Sequence, residues 1–497
     1  MPTQTKFAGF PSATLYELGP GPGPPAKLEA RRQLLWGDFL TVLGEDGDFF
    51  HARVRGSEGW IRKAETQDAR LLEIVFVDIG QGDGALLITP DDQKFIIDAG
   101  EEDNMVRFLR WRFGKFAHPV KFDAAIMSHS DSDHYGGFDD LFAEPNLSFE
   151  TVYHNGLMER KAAKANDILG VRVQDPQGPL SYITDLVPDM AALQNFLATP
   201  ANFAGKQFPT MLQKALAAGK FTHFQKLDAA TGHLPGHGPG SRVEIQILGP
   251  FTEQFQGQPA LRWLGDPGKT KNGHSVVLRL VIGRVSIFLG GDLNTESCRL
   301  LLEKHTGLSS SPKTAEEEDA LVRAGRAIFG CDVAKACHHG SADLFLPFMK
   351  AVNPVATVIS SGDNEPHAHP RADALGAIGR CGRGERPLIF STELSRSAKE
   401  AIKHPVILQA ELRALGAALD IAEPGPKKVK AQAAFDKAIA KLERSIAIFG
   451  AINLRTDGEK VVMAYKVEVP KPSKEWDMYV LEPLGLNGPL GYQSKHN

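Results

Sequence analysis

Residues 123–134 read DAAIMSHSDSDH, a short apolar strand that runs without a break into two histidines and two carboxylates. Backbone leaving the end of a buried strand can aim several side chains at one point. Neutral imidazole together with carboxylate suits Zn²⁺, Mn²⁺ or Fe. A histidine-rich surface loop is the competing explanation, but it does not account for four donors in six positions directly after such a strand. His129, Asp131, Asp133 and His134 are therefore candidate metal ligands. Gly136-Gly137 then turns the chain into a helix expected over 138–143.

The flanking sequence repeats the pattern of strand, loop and helix. Residues 72–100, LEIVFVDIGQGDGALLITPDDQKFIIDAG, hold three apolar strands broken at 80–84 and 90–93, with a helix expected at 104–113. RVEIQILGP at 242–250 is a further strand, and 274–293 supplies two more around the turn Ile282-Gly283-Arg284. A charged stretch at 311–327 predicts a helix, with strands at 332–336 and 355–360. Residues 428–446 predict an amphipathic helix, and the strands 449–455 and 460–468 meet at Asp457-Gly458, a strong hairpin turn. This alternation places the chain in the α/β class. The segment 154–240 differs. It is rich in Ala, Gln, Gly and Pro, with helices near 189–198 and 209–219 and a loose GHLPGHGPG at 232–240, and it predicts a mostly helical insertion.

The N-terminal end has another character. GPGPGPP at 19–25 predicts a linker or exposed loop. Residues 34–63 carry short alternating apolar runs, Phe39, Thr41, Leu43 and then Phe50, Ala52, Val54, separated by Gly/Asp turns, which predicts antiparallel strands. Trp36-Gly37-Asp38 and Gly59-Trp60-Ile61 in this segment resemble bacterial SH3-like domains; the alternative is a β-rich extension of the main domain. Trp60 is expected in the core under either reading.

At 497 residues the chain is too long for one compact domain of ~100–200 residues. With 42% hydrophobic and 23% charged residues it can build a large core. A net charge of −4 removes any global basic field and argues against a protein whose main work is holding DNA, while leaving room for a local basic groove. Cys298, Cys331, Cys337 and Cys381 form no C-x-x-C pair and are expected as free thiols in a reducing compartment. The N-terminus lacks the pattern of a signal peptide, and no apolar run reaches the ~20 residues of a membrane helix. A cytoplasmic protein with no membrane partner is expected.

Several motifs in order resemble one family. The metallo-β-lactamase superfamily carries H-x-H-x-D-H after such a strand. This chain has H-x-D-x-D-H at 129–134, the variant of the hydrolase domain in ComEC-type DNA-uptake competence proteins. VDIGQGDGALL at 77–87, FIIDAG at 95–100, GGDL at 290–293, CHHGS at 337–341, ISSGDNEPHAHP at 359–370 and GAINLRTDG at 450–458 are similar to that family's motifs in the same order. The resemblance spans roughly 72–470. It implies a four-layer αββα hydrolase domain over 71–470 with an insertion at about 150–240. Residues 1–70 before it are then an extension with the SH3-like module, and 471–497 a tail.

The resemblance also implies the roles. Two divalent ions, Zn or Mn, would be held by His129 on one side and Asp133 and His134 on the other, with Asp292 bridging. One of His338 and His339 would complete the site, His339 being favoured, and the other would stand beside the leaving group as general acid or phosphate contact. Asp131 replaces a metal-binding histidine, so it either ligates or carries a proton. His274 in NGHSVVL is a ligand or a substrate contact. His369 would contact substrate. Asp98 would orient the metal loop, and Asp78 and Asp83, with Gln81, would fix the loop over the site or serve turn structure alone. His154, His223, His233, His237, His305 and His404 lack a ligand context. The activity implied is a dinuclear phosphodiesterase or nuclease using a hydroxide shared by two ions. The alternatives are a hydrolase of a small ester, lactone or thioester, and a binding module with a vestigial metal site. Nucleic acid is a candidate partner, and the ligand of the SH3-like segment is open.

Overall fold

The computed structural model describes residues 4–21, 23–362, 368–396, 405–423, 425–443, 450–486 and 488–494. Outside them lie Pro22 of the Gly/Pro segment, residues 363–367 of the ISSGDNEPHAHP motif, His404, 444–446 of the helix expected to 446, and 449 of the strand expected from there.

Among the described residues, two large sheets carry the core. One has ten strands, in the order Phe221–Lys226, Leu147–His154, Val120–Ile126, Lys94–Ala99, Gly84–Ile88, Leu72–Phe76, Ile452–Thr456, Val461–Lys471, Lys474–Pro483 and Leu490–Tyr492. The other has six: Glu244–Gly249, Val277–Ile282, Val285–Leu289, Val333–Lys335, Ala356–Ile359 and Leu388–Ser391.

Strands that are apolar on both faces need cover on both faces, and they have it. Ile74, Phe76, Leu87, Ile97 and Ile126 pack against Ile247, Leu278, Leu280, Ile287 and Val358 of the facing sheet. Their alternating neighbours Val75, Val77, Leu86 and Ile96 meet Met105, Leu109, Phe138, Leu141, Phe208 and Leu212 from helices Asn104–Arg112, Gly137–Ala143 and Gln207–Ala217. On the far side, Val277, Phe288 and Ala334 meet Leu301, Leu302, Leu321, Phe329 and Phe348 of helices Thr295–Thr306, Ala315–Phe329 and Leu346–Val352. The layers run helix, sheet, sheet, helix.

Three expectations need correction. The 154–240 segment is not simply a helical insertion. Its helices Met190–Leu197 and Gln207–Ala217 are present, but Phe221–Lys226 pairs in parallel with Leu147–His154 and forms the edge of the ten-stranded sheet. GHLPGHGPG is not loose: His233 meets Glu244 at 2.9 Å, and the buried His237 donates to the Val243 carbonyl at 3.0 Å. Residues beyond 470 are not a tail, because two strands there extend the same sheet through a register set by Met463↔Tyr479 and Leu481↔Tyr492.

The N-terminal residues form a seven-stranded sheet of their own, from Gln4–Ala8 to Thr66–Gln67, around Leu15, Leu34, Leu40, Phe50, Ala52, Val54 and Ile61. Trp60 is buried. The inward face of Phe39–Asp46 is opposite to the one its alternation suggested. Leu40 is fully buried, while Phe39 and Leu43 stand 43% and 40% exposed. A one-residue shift reverses every side chain of a strand, and here Leu40, with Val42 beside it, packs into the core of the sheet.

This sheet docks on the core through a buried charge cluster. Arg455 reaches Glu73 at 2.6 Å and Asp38 at 3.6 Å; Arg112 meets Glu73 at 2.9 Å, and Arg55 meets Asp38 at 2.6 Å. Burial pushes both carboxyls up, but Arg55 and Arg455 at Asp38, and Arg112 and Arg455 at Glu73, outweigh it and hold both below their usual values. A carboxylate whose folded pKa is depressed contributes stability above its unfolded pKa, ~4, and loses it as pH falls through the folded value. Urea midpoints are therefore expected to drop below about pH 4, and to drop less in Asp38→Asn. An identical acid profile for that variant would remove Asp38 from the account.

All four cysteines are free. Among the described residues, no helix is long and apolar enough to cross a membrane.

Candidate metal centre

The centre forms where strand ends of both sheets meet. The chain leaves Val120–Ile126, passes His129 and Asp131, and enters the short helix Ser132–Tyr135, which presents Asp133 and His134. From the other sheet, Asp292 follows Val285–Leu289, and His338 and His339 follow Val333–Lys335. Both histidines adopt left-handed backbone, φ 49° and 53°, a strained conformation of the kind that collects at functional sites. Gly82 is required for the loop above. Its φ is +100°, and a Cβ there would fall 1.7 Å from the Asp133 carbonyl, which instead accepts from Asp83 N at 3.1 Å.

Asp133, His134, Asp292 and His339 each offer one ligand atom, all within 4.8 Å of one another. His134 Nε2 and His339 Nε2 both lie 3.2 Å from Asp292 Oδ2, and His339 Nε2 is 3.5 Å from Asp133 Oδ2. Both Nε2 atoms are buried, yet neither makes a hydrogen bond among the described residues. Buried polar atoms are normally satisfied. Two imidazole nitrogens and two carboxylates that converge without hydrogen-bonding one another fit the donor set of a divalent ion.

The opposite ring nitrogens are fixed. His134 Nδ1 donates to Asp98 Oδ2 at 2.9 Å, and Asp98 Oδ1 accepts from Ser128 N at 2.7 Å. Asp98 reaches both because the strand shifts register between Ile97 and Ala99 and its own φ is +54°. His339 Nδ1 donates to the Ser360 carbonyl at 3.1 Å, with Asp83 Oδ1 at 3.2 Å. Nδ1–H partners of this kind leave Nε2 with its lone pair toward the centre. Burial opposes charge on His134 and His339, but the carboxylates, Asp292 foremost, outweigh it and hold both imidazoles well above their ordinary value. Asp292 itself, despite burial, is held well below the usual carboxylate range by His134 and His339. An ion bound here would have to displace those protons.

His129 is buried beside His134, ring centroids 4.1 Å apart, with Nε2 3.6 Å from Asp131 Oδ2, outside the four-residue group. Asp131 is ion-paired with Lys271. His338, half-buried, has Nε2 3.9 Å from Asp292 Oδ2, and His369 meets its ring edge-on with centroids 5.4 Å apart. Asp78 is buried in the loop and accepts from Gly80 N at 3.3 Å. His274 is not brought to the centre as a neighbour of Asp292. Its Nε2 donates to the Arg262 carbonyl at 2.6 Å, and burial pushes its imidazole down to about 4.

The next residue turns toward the centre instead. Ser275 Oγ lies 3.3 Å from His129 Nδ1 and accepts from Asp292 N at 3.0 Å. Lys335 was also not singled out in the sequence. Its buried ammonium pairs with Asp83, lies 3.6 Å from Asp292 Oδ1 and donates to the Gly291 carbonyl at 3.1 Å. A lysine inside an apolar strand two residues before CHHGS was the available signal, since lysine is rarely fully buried without a partner.

A family model described as Metallo-beta-lactamase superfamily matches residues 85–343. No curated protein matches the chain. Among solved structures, a mutant of the CmlA beta-hydroxylase is similar at 8% sequence identity and a TM-score of 0.29, with 66% of this chain covered. The match covers 54% of the hydroxylase chain, little more than half its length, and at that score it carries no argument about chemistry.

Proposed function

The chain belongs to the metallo-beta-lactamase superfamily, and on that premise we propose that it is a divalent-metal-dependent hydrolase of phosphodiesters. The observation that carries this reading is the convergence of Asp133, His134, Asp292 and His339 on one point, with the half-buried His338 and His369 at its rim. A bound divalent ion would polarise a phosphoryl oxygen and lower the pKa of a water. The chain's own residues do the rest. Asp98, Asp83 and the Ser360 carbonyl orient the two imidazoles. Lys335 balances the charge of Asp83 and Asp292. His338, with Nε2 3.9 Å from Asp292 Oδ2, would pass a proton to a leaving oxygen. The motif order H-x-D-x-D-H, GGDL and CHHGS, similar to ComEC-type hydrolase domains, favours a phosphodiester over a lactam. We further assign the N-terminal seven-stranded sheet, whose strands run from Gln4–Ala8 to Thr66–Gln67, as an SH3-like binding module appended to the hydrolase.

A metal-supplemented panel tests this: bis-p-nitrophenyl phosphate, single- and double-stranded DNA, RNA, and small esters, lactones and thioesters. Turnover of phosphodiesters with Mn²⁺ or Zn²⁺, lost on chelation, is expected. Good turnover of lactones or thioesters with every phosphodiester untouched would reject the phosphodiester assignment and leave the family assignment standing.

A further inference from the structure

We propose that this centre binds one divalent ion, and that the ammonium of Lys271 stands where a second ion would otherwise sit. The inference rests on the hydrolase reading above, and it departs from the two ions that the sequence motifs imply.

The two halves of the H-x-D-x-D-H loop differ in what surrounds them. Asp133 and His134 join Asp292 and His339, and among the described residues neither of the two Nε2 atoms makes a hydrogen bond. On the other side, among the described residues, only His129 Nε2 and Asp131 Oδ2 approach each other, at 3.6 Å. A catalytic metal position ordinarily takes three protein ligands. The third does not arrive. His274, on the segment that could deliver it, is committed through Nε2 to the Arg262 carbonyl at 2.6 Å. The Ser275 hydroxyl reaches only the rear nitrogen of His129, Nδ1, at 3.3 Å.

A cation is nevertheless present. Lys271, on the short helix Pro267–Gly273, places Nζ against Asp131 Oδ1 and 3.1 Å from Glu159 Oε1. All three side chains are mostly withdrawn from solvent, Lys271 being 12% exposed, Glu159 13% and Asp131 26%. With its amide turned so that nitrogen rather than oxygen faces Asp131, Asn272 would donate to Oδ2 at 2.6 Å. Oδ1 is taken by Lys271, and in that amide orientation Oδ2 also has a partner other than a metal. Two carboxylates withdrawn from water need a positive charge between them, and a lysine that supplies it permanently lowers the gain from recruiting an ion. Asp131 in place of the superfamily's usual histidine then has a local reason: a carboxylate pairs with Lys271, and an imidazole would not.

Counting ions tests this without any substrate. Protein dialysed against Mn²⁺ or Zn²⁺ is expected to hold one ion per chain by inductively coupled plasma mass spectrometry, with one binding event in calorimetric titration. Lys271→Ala frees Asp131, Glu159 and His129 around the vacated position and is expected to raise the count to two, while Lys271→Arg stays at one. Melting curves establish that each variant is folded. Two ions in the unaltered protein, or a folded Lys271→Ala that remains at one, overturns the proposal. These outcomes are separate from the substrate question. One ion per chain with no phosphodiester turnover rejects the proposed activity alone, and two ions with good phosphodiester turnover reject the lysine substitution alone.

Discussion

Asp292→Ala is expected to strip the protein of its metal and abolish turnover, the largest functional loss of any single substitution. Asp292 Oδ2 stands 3.2 Å from His134 Nε2 and 3.2 Å from His339 Nε2, and Oδ1 faces Lys335 at 3.6 Å. Removing it deletes a ligand and leaves two imidazoles and a buried ammonium around a gap. Losing a partner that merely orients a ligand costs roughly 10–100-fold in metal affinity, so loss of the ligand itself should exceed ~100-fold. His338→Ala should be milder and of a different kind. Its metal content should stay normal, with turnover down ~10²–10⁴-fold if His338 delivers a proton. Substitutions at exposed positions of the 232–240 loop should change little, because that loop is held by His233–Glu244 and His237–Val243 contacts away from the centre. Metal content by mass spectrometry, read beside turnover, separates these three cases. An Asp292→Ala protein that retained its full metal content would show that the four-residue group is not the binding site.

The largest expected loss of stability is at Arg455, which touches no part of the metal centre. Its guanidinium is 3% exposed and shared between Glu73 at 2.6 Å and Asp38 at 3.6 Å. Glu73 lies on the core strand Leu72–Phe76, and Asp38 lies between two strands of the N-terminal sheet. Truncation to alanine leaves two buried carboxylates with a reduced counter-charge, and breaking a buried pair from one side typically costs ~3–5 kcal/mol. Arg55 and Arg112 remain to offset part of this, which places the expectation toward the lower end of that range. Replacing all the charged partners together with apolar residues of similar volume should be far less damaging, since no charge is then left unpaired. Urea unfolding at neutral pH measures both. A loss below ~1 kcal/mol in Arg455→Ala, the scale of an exposed pair, would mean that the cluster is solvated in solution.

Much of the molecule was legible along the chain. The apolar runs at 72–76, 84–88 and 94–99, the hairpin at Gly283-Arg284 and the turn at Asp457-Gly458 all stand where the pattern put them. Periodicity and turn chemistry act over a few residues, so a linear sequence displays them directly. The placement of His129–His134 after a buried strand, and of His338–His339 after another, was local in the same sense. What the tertiary structure alone decided was which atoms meet. Ser275 rather than His274 turns toward His129, and Lys335 of the six-stranded sheet pairs with Asp83 beside the ten-stranded one. Lys271 joins Asp131 to Glu159 from a distant helix. Leu40 rather than Phe39 faces inward, and strands after residue 470 close the edge of the main sheet. Each of these depends on tertiary contacts that turn a side chain toward one partner rather than another while leaving the local pattern of residue types unchanged. The energy that selects among such rotations comes from groups far away in the chain, and it exists only once both sheets have packed.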